Sequence, residues 1–322
     1  MQPIDRMRQY VGMEAPTVEY MVDSGSIKYF ADSVMDPDPL YRDEQYAKAT
    51  RHGGIIAPPT FFGSATGLQG MAAGDSRSMF ALPIELPDGW IGIAAGDEYE
   101  CFAPIRPGML LTRREKFIEA YEKRGRTGQL IFYTVEKTFS AQDGTILLRR
   151  KIRCVAKPAY FPAVSDALLP EEETRVSGPG SLGELTVGPL SVRYLAMFAT
   201  ATAEFVDIHY DADYARSMGF TGPIVQGLFK TVIVGQMLKN FTGDGTTLRR
   251  LRVEHRGIDL AGSCLTATGR LTGKSQSSPA KEIECDVWVF NQEGRTTTRG
   301  KAWLESTDAL PSDNAPHDVA HI

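Results

Sequence analysis

Phe198-Ala-Thr-Ala-Thr-Ala-Glu-Phe-Val-Asp-Ile-His-Tyr-Asp211 is a stretch that this chain contains twice. A shift of 168 residues lays it without a gap over an earlier copy, with Phe30-Ala31 on Phe198-Ala199, Asp36 on Glu204, Leu40 on Ile208 and Asp43 on Asp211. The register continues through Tyr46-Ala47 on Tyr214-Ala215, Gly54 on Gly222 and Ile56 on Ile224. So many matches at one offset mark an internal repeat.

The order of elements is shared as well. In each copy a helical stretch (27–34 and 194–202) leads into a short helix, with Asp43 and Asp211 placed as N-caps. A Gly/Pro loop follows (53–59 and 221–227), and in the second copy it opens an apolar helix over 228–238. The remainder alternates apolar and polar residues as antiparallel strands do, for example over 131–139 and 286–290. Gln142-Asp143-Gly144 matches Gln292-Glu293-Gly294 as the turn between two such strands. An apolar helix followed by several strands predicts an α+β unit, an antiparallel sheet wrapped around a buried helix. The predicted division is a first domain over 1–160, a Pro-, Gly- and acid-rich linker over 161–187, a second domain over 188–305 and a polar, loose tail over 306–322. His317 and His321 fall in that tail and are poor candidates for chemistry.

At 322 residues, with 42% hydrophobic and 23% charged side chains, the chain can build two sizeable cores. A net charge of −5 and a pI near 5.7 argue against nucleic acid or an anionic membrane as partner. No apolar run approaches the ~20 residues of a membrane span, and the first residues lack a signal-peptide core. Cys101, Cys154, Cys264 and Cys285 lie far apart without metal-binding spacing, as reduced core residues of a cytoplasmic protein would. No metal-ligand set, P-loop or GxGxxG fingerprint is present, so a reaction without metal or cofactor is expected.

The segment Thr202-Ala-Glu-Phe-Val-Asp-Ile-His-Tyr-Asp211, with Tyr214-Ala215-Arg216 and Gly222-Pro-Ile-Val-Gln-Gly227, resembles the hydratase motif of MaoC-like hot-dog proteins. The first half resembles the degenerate MaoC-type dehydratase domain that often precedes it. Its matching stretches are Tyr29-Phe-Ala31, Asp36-Pro-Asp-Pro-Leu-Tyr41, Gly54-Ile-Ile-Ala-Pro-Pro-Thr60 and Gly96-Asp-Glu-Tyr99. The resemblance implies a double hot-dog fold and the (R)-specific enoyl-CoA hydratase or 3-hydroxyacyl dehydratase reaction. The substrate would be an acyl-CoA or acyl-carrier-protein thioester, and a homodimer of double hot-dogs is a candidate assembly. The family motif usually reads Asp-x-Asn-Pro-x-His, where this chain has Glu204-Phe-Val206-Asp207-Ile-His209.

Adding water to an alkene conjugated with a thioester needs an acid/base pair and a stabiliser for the charge building on the thioester oxygen. His209 is the candidate acid/base, with Glu204 as its carboxylate partner by motif position and Asp207 as the alternative. Five residues separate Glu204 from His209, so they converge only if the chain turns before the short helix. Gly227, ending a Gly/Pro loop at a helix start, is the candidate oxyanion donor through its N–H, and it lacks a Cβ that would bar close approach. Gln226 and Ile224 are candidate pocket residues beside it. In the first copy Tyr41 replaces His209 and Pro59, which has no N–H, replaces Gly227. That half is expected to be a silent copy that helps shape an acyl pocket. The clusters Arg113-Arg114, Arg149-Arg150-Lys151 and Arg249-Arg250 are candidate contacts for phosphates. Two other readings stay open on this fold: a thioesterase, and a non-catalytic acyl-thioester-binding or partner subunit.

Overall fold

The computed structural model describes residues 2–62, 79–125, 128–158, 180–275 and 281–306. Six helices are α1 (Pro3–Arg8), α2 (Ser24–Ser33), α3 (Glu44–Ala49), α4 (Val192–Thr202), α5 (Ala212–Ser217) and α6 (Gly227–Thr242). Ten strands are β1 (Val18–Met21), β2 (Trp90–Cys101), β3 (Leu110–Gly125), β4 (Gly128–Ala141), β5 (Ile146–Pro158), β6 (Ser181–Val187), β7 (Thr246–His255), β8 (Leu265–Ser275), β9 (Lys281–Asn291) and β10 (Thr296–Ser306).

All ten strands form one antiparallel sheet in the order β1-β3-β4-β5-β2-β7-β10-β9-β8-β6. That order is palindromic: each half contributes five strands in the same arrangement, and the halves meet where β2 pairs with β7. The junction is close, since a Cβ on Gly96 would lie 2.4 Å from the Val253 carbonyl oxygen. Strand registers repeat along with the sequence. Phe139 pairs with Leu148 before a bulge in one half, and Val289 pairs with Thr298 beside a bulge in the other. Cys101 faces Leu148 as His255 faces Thr298.

Ser181–Val187 was expected to belong to the linker, but it is strand β6, paired with β8 at the sheet's edge. Its Pro/Gly surroundings hid a short strand whose buried residues are only Leu182 and Val187. Ser306, expected to open the tail, instead ends β10, and the core of the expected linker and residues 307–322, with His317 and His321, lie outside the described residues.

Helix α6 is buried on nearly every residue from Leu228 to Leu238, which is why its sequence is apolar all round and not on a single stripe. It packs against β6, β7, β8, β9 and β2. Its counterpart in the first half would fall on residues outside those described. No helix among the described residues is long and apolar enough to cross a membrane.

Across the pseudo-twofold, α2 packs on α4, and the repeat mates Phe30 and Phe198 meet with ring centroids 6.3 Å apart. Phe198 also meets Phe229 of α6 edge-on at 5.2 Å. Deleting a ring this central removes buried area and leaves a hole the rigid surroundings cannot close. Phe198→Ala is therefore expected to destabilise the fold by about 3–5 kcal/mol in urea unfolding. A loss below about 1 kcal/mol would mean that the two halves do not rely on this contact.

Candidate active site

The expected turn between Glu204 and His209 is made by an unusual residue. After α4, Ala203 takes φ 55°, in the left-handed region that L residues rarely visit. The chain reverses, the Glu204 N–H donates back to the Ala199 carbonyl (3.1 Å), and a 3-10 turn over Asp207–His209 follows. Its repeat mate does the same: Met35 has φ 56°, Asp36 N–H donates to the Ala31 carbonyl (2.8 Å), and a 3-10 turn covers Pro39–Tyr41. Asp43 and Asp211 then cap α3 and α5, each carboxylate accepting two backbone N–H groups.

Glu204, His209, Ile224, Gln226 and Gly227 all line one narrow cavity of about 70 Å³. Of the two carboxylates left open by the motif, Glu204 is in this lining and Asp207 is not; Asp207 instead accepts the Tyr210 hydroxyl (3.1 Å). His209 Nδ1 lies 2.8 Å from the Ile224 carbonyl oxygen. A carbonyl only accepts, so Nδ1 carries the proton and Nε2 keeps its lone pair. Burial lowers the His209 pKa to about 4, although this hydrogen bond and the charge of Glu204 pull the other way. The ring is neutral at ordinary pH. Ile224 contributes through its backbone, since its N–H also donates to Ile208. Gln226 donates from Nε2 to the Leu195 carbonyl (2.8 Å), tying α4 to the start of α6, while its Oε1 is buried without a partner among the described residues.

Gly227 opens α6, where backbone N–H groups lack partners within the helix. The structure gives a different reason for its missing side chain from the one expected. A Cβ there would lie 2.7 Å from Cδ2 of His255. The glycine makes room for a second histidine.

His255 belongs to a buried charged network that the sequence reading missed. Arg150 is 1% exposed; it donates to Glu204 Oε1 (2.6 Å) from Nη1 and to Asp97 Oδ1 (2.9 Å) from Nε. Asp97 Oδ2 lies 3.3 Å from His255 Nε2 and accepts the Thr231 hydroxyl at 3.1 Å. Nδ1 of His255 is 3.1 Å from the Thr298 hydroxyl. Nearby, Lys230 pairs with Asp259 (3.0 Å). Burial works against the charge of Asp97, but Arg150 and His255 outweigh it and hold the carboxyl well below the usual range. Arg150 thus comes from the first half to hold an acid of the second. Its burial argues against a role as a phosphate contact, whereas the part-exposed Arg149, Arg249 and Arg250 form ion pairs with Glu100, Glu305 and Glu98. Strict alternation already put Arg150 inward, between Leu148 and Ile152 on β5, and His255 on the face of Leu251 and Val253.

The strand registers identify what stands in each place of the pseudo-twofold-related site, whose walls likewise come from both halves. His255 corresponds to Cys101, Asp97 to Leu251 and Arg150 to Gly300, while on the helix side Lys230 corresponds to Phe62. Val225 N–H donates to the Asp259 carbonyl as Ala57 N–H does to Ile105, so Asp259 corresponds to Ile105. Of the acids only Asp36 remains, opposite Glu204. Its carboxylate has no ion pair among the described residues, and burial raises its pKa to about 6. Charge is kept at one site and absent from most positions of the other.

Residues 9–150 match the family described as "FAS1-like, dehydratase domain region". A "UPF0336 protein" of Thermobifida fusca is 46% identical over 55 residues, which is 17% of this chain and 36% of that one. The chain thus spans about a third of the length of that relative. A solved structure named "MaoC-like dehydratase" superposes with a TM-score of 0.71 at 18% identity, over 92% of this chain and 98% of the other. A conserved hypothetical protein of Mycobacterium tuberculosis, described as having a double hotdog fold, superposes at 0.59 and 14% identity over 92% and 96%. The chain has a double hot-dog fold. In this double hot-dog the N-terminal unit supplies β2 and β5 as one wall of the cavity, and the C-terminal unit supplies the motif and the α6 N-terminus.

Proposed function

We propose that the protein interconverts an enoyl thioester and a 3-hydroxyacyl thioester at the His209 cavity, with an acyl-CoA or acyl-carrier-protein substrate. The reading is carried by one arrangement: a neutral histidine, pinned through Nδ1, shares a narrow cavity with a charge-paired carboxylate and a helix N-terminus. In hydration, His209 Nε2 takes a proton from a water oriented by Glu204, and the water oxygen bonds to the β-carbon. The alkene electrons move to the thioester oxygen, where the Gly227 N–H stabilises the charge. The α-carbon then takes the proton from His209, and the thioester carbonyl re-forms.

Incubation with crotonyl-CoA tests this, following enoyl absorbance and free thiol together. Loss of absorbance without thiol release supports the reading. Thiol release would make the protein a thioesterase, and no reaction with any enoyl thioester would make it a binding subunit.

A pH dependence follows. The base must be unprotonated, and His209 is held at about 4, below the ordinary 6.5. The acid limb of kcat/KM is therefore expected near pH 4, with activity intact between 5 and 6.5, where an exposed histidine would already be protonated. The same shift has a sign for stability: the unfolded chain binds this proton first, so the His209 contribution is full above about 6.5 and is lost as pH falls toward 4. An acid limb at 6.5 would show that another group is the base.

A further inference from the structure

A second cavity, about 350 Å³, sits in the first copy at the place corresponding to the His209 site. Its walls include Tyr41, Pro59 and Cys101, the counterparts of His209, Gly227 and His255. Beside them lie Phe61, Leu148 and Leu304, all buried. Among the described residues the two cavities share no lining residue.

The substitutions that removed chemistry from this copy also removed every charged group of the network except Asp36. A partly open cavity of this size, lined by apolar side chains with polar ones at its rim, falls in the range of ligand pockets, ~300–1,000 Å³. Its rim is not neutral. Lys239 and Arg249 line it but are paired with Asp38 and Glu305. Arg51, exposed at the rim, donates among the described residues only to the Thr246 carbonyl and the Thr247 hydroxyl, each at 2.9 Å. Both acceptors are neutral, so its charge is left for an anion.

We propose that this cavity is a second, catalytically silent site for an aliphatic carboxylate, with the chain among Phe61, Leu148 and Leu304 and the head group at Arg51. The proposal does not depend on the reaction assigned to the His209 site. Calorimetric titration with decanoate tests it. Wild type is expected to bind, Arg51→Glu to bind at least about tenfold more weakly, since a charge-assisted contact becomes a repulsion, and Ala103→Trp, which fills the mouth, not to bind. His209→Ala is expected to bind as wild type does. Melting curves accompany each variant; Arg51 is exposed, so its variant remains informative should Ala103→Trp fail to fold. Absence of binding to wild type overturns the proposal. So does binding that Arg51→Glu leaves unchanged, or binding that His209→Ala abolishes, because the chain would then occupy the other cavity.

Discussion

Arg150→Met is expected to destabilise the protein by about 3–5 kcal/mol, more than any neighbouring arginine, because it removes the cation shared by two buried carboxylates and leaves Glu204 only the more distant Lys137 at 4.0 Å. Asp97 and Glu204 are both almost fully buried, and each is within 2.9 Å of the guanidinium. Methionine fills much of the volume, so the loss measured in urea reports charge and not a cavity. Arg150→Lys should recover part of it, keeping the charge but not the two-pronged geometry. The pseudo-twofold-related site suggests a sharper control, since Leu251 and Gly300 of the second half stand there where the His209 site uses Asp97 and Arg150 of the first. Adding Asp97→Leu to Arg150→Met should therefore cost less than the sum of the two single changes, a positive coupling in a double-mutant cycle. Strict additivity would show that the pair is not an energetic unit. Arg149→Met, removing a half-exposed pair with Glu100, should change stability by less than about 1 kcal/mol.

On the proposed reaction, His209→Ala is expected to lower kcat at least about 100-fold with KM little changed, as loss of a general acid/base does. Single-turnover absorbance with crotonyl-CoA measures it without interference from product release. Glu204→Gln should produce a comparable loss. It also strips Arg150 of one partner, so its melting temperature must be recorded alongside. Asp207→Asn should matter much less, because Asp207 does not line the cavity. Should Asp207→Asn prove the more damaging of the two, the motif register is wrong. His255→Gln separates positioning from chemistry: both ring nitrogens are engaged, with Asp97 and Thr298, so it acts through Asp97 and the Gly227 contact. A modest kcat loss with an unchanged acid limb near pH 4 is the expected pattern.

Much of this was legible in the chain because repeats and local signals act over short distances. Phe30 matching Phe198, the caps Asp43 and Asp211, the apolar helix after Gly227 and the Gln-acid-Gly turns were each readable from a dozen residues, and each lies where expected. The gathering of Glu204, His209, Ile224, Gln226 and Gly227 on one cavity was expected from the motif. What misled was exposure: Arg150 was weighed as part of a surface charge run, although its strand places it between two buried leucine and isoleucine positions.

By itself, then, the sequence determined that there are two copies, which elements each contains, and that only the second keeps a histidine and a glycine at the motif positions. These follow from periodicity, capping and residue identity, all local properties of the chain. Only the tertiary structure decided that the copies share one sheet through β2 and β7, and that Arg150 of one reaches Glu204 of the other. It also decided that Gly227 yields its side-chain space to His255 and that a second cavity lies at the pseudo-twofold-related place. Residues 54 positions apart, as Arg150 and Glu204 are, carry no mark of each other in the chain. Their pairing depends on strand register and on burial deep enough to make an unpaired charge intolerable, and both exist only once the sheet has closed.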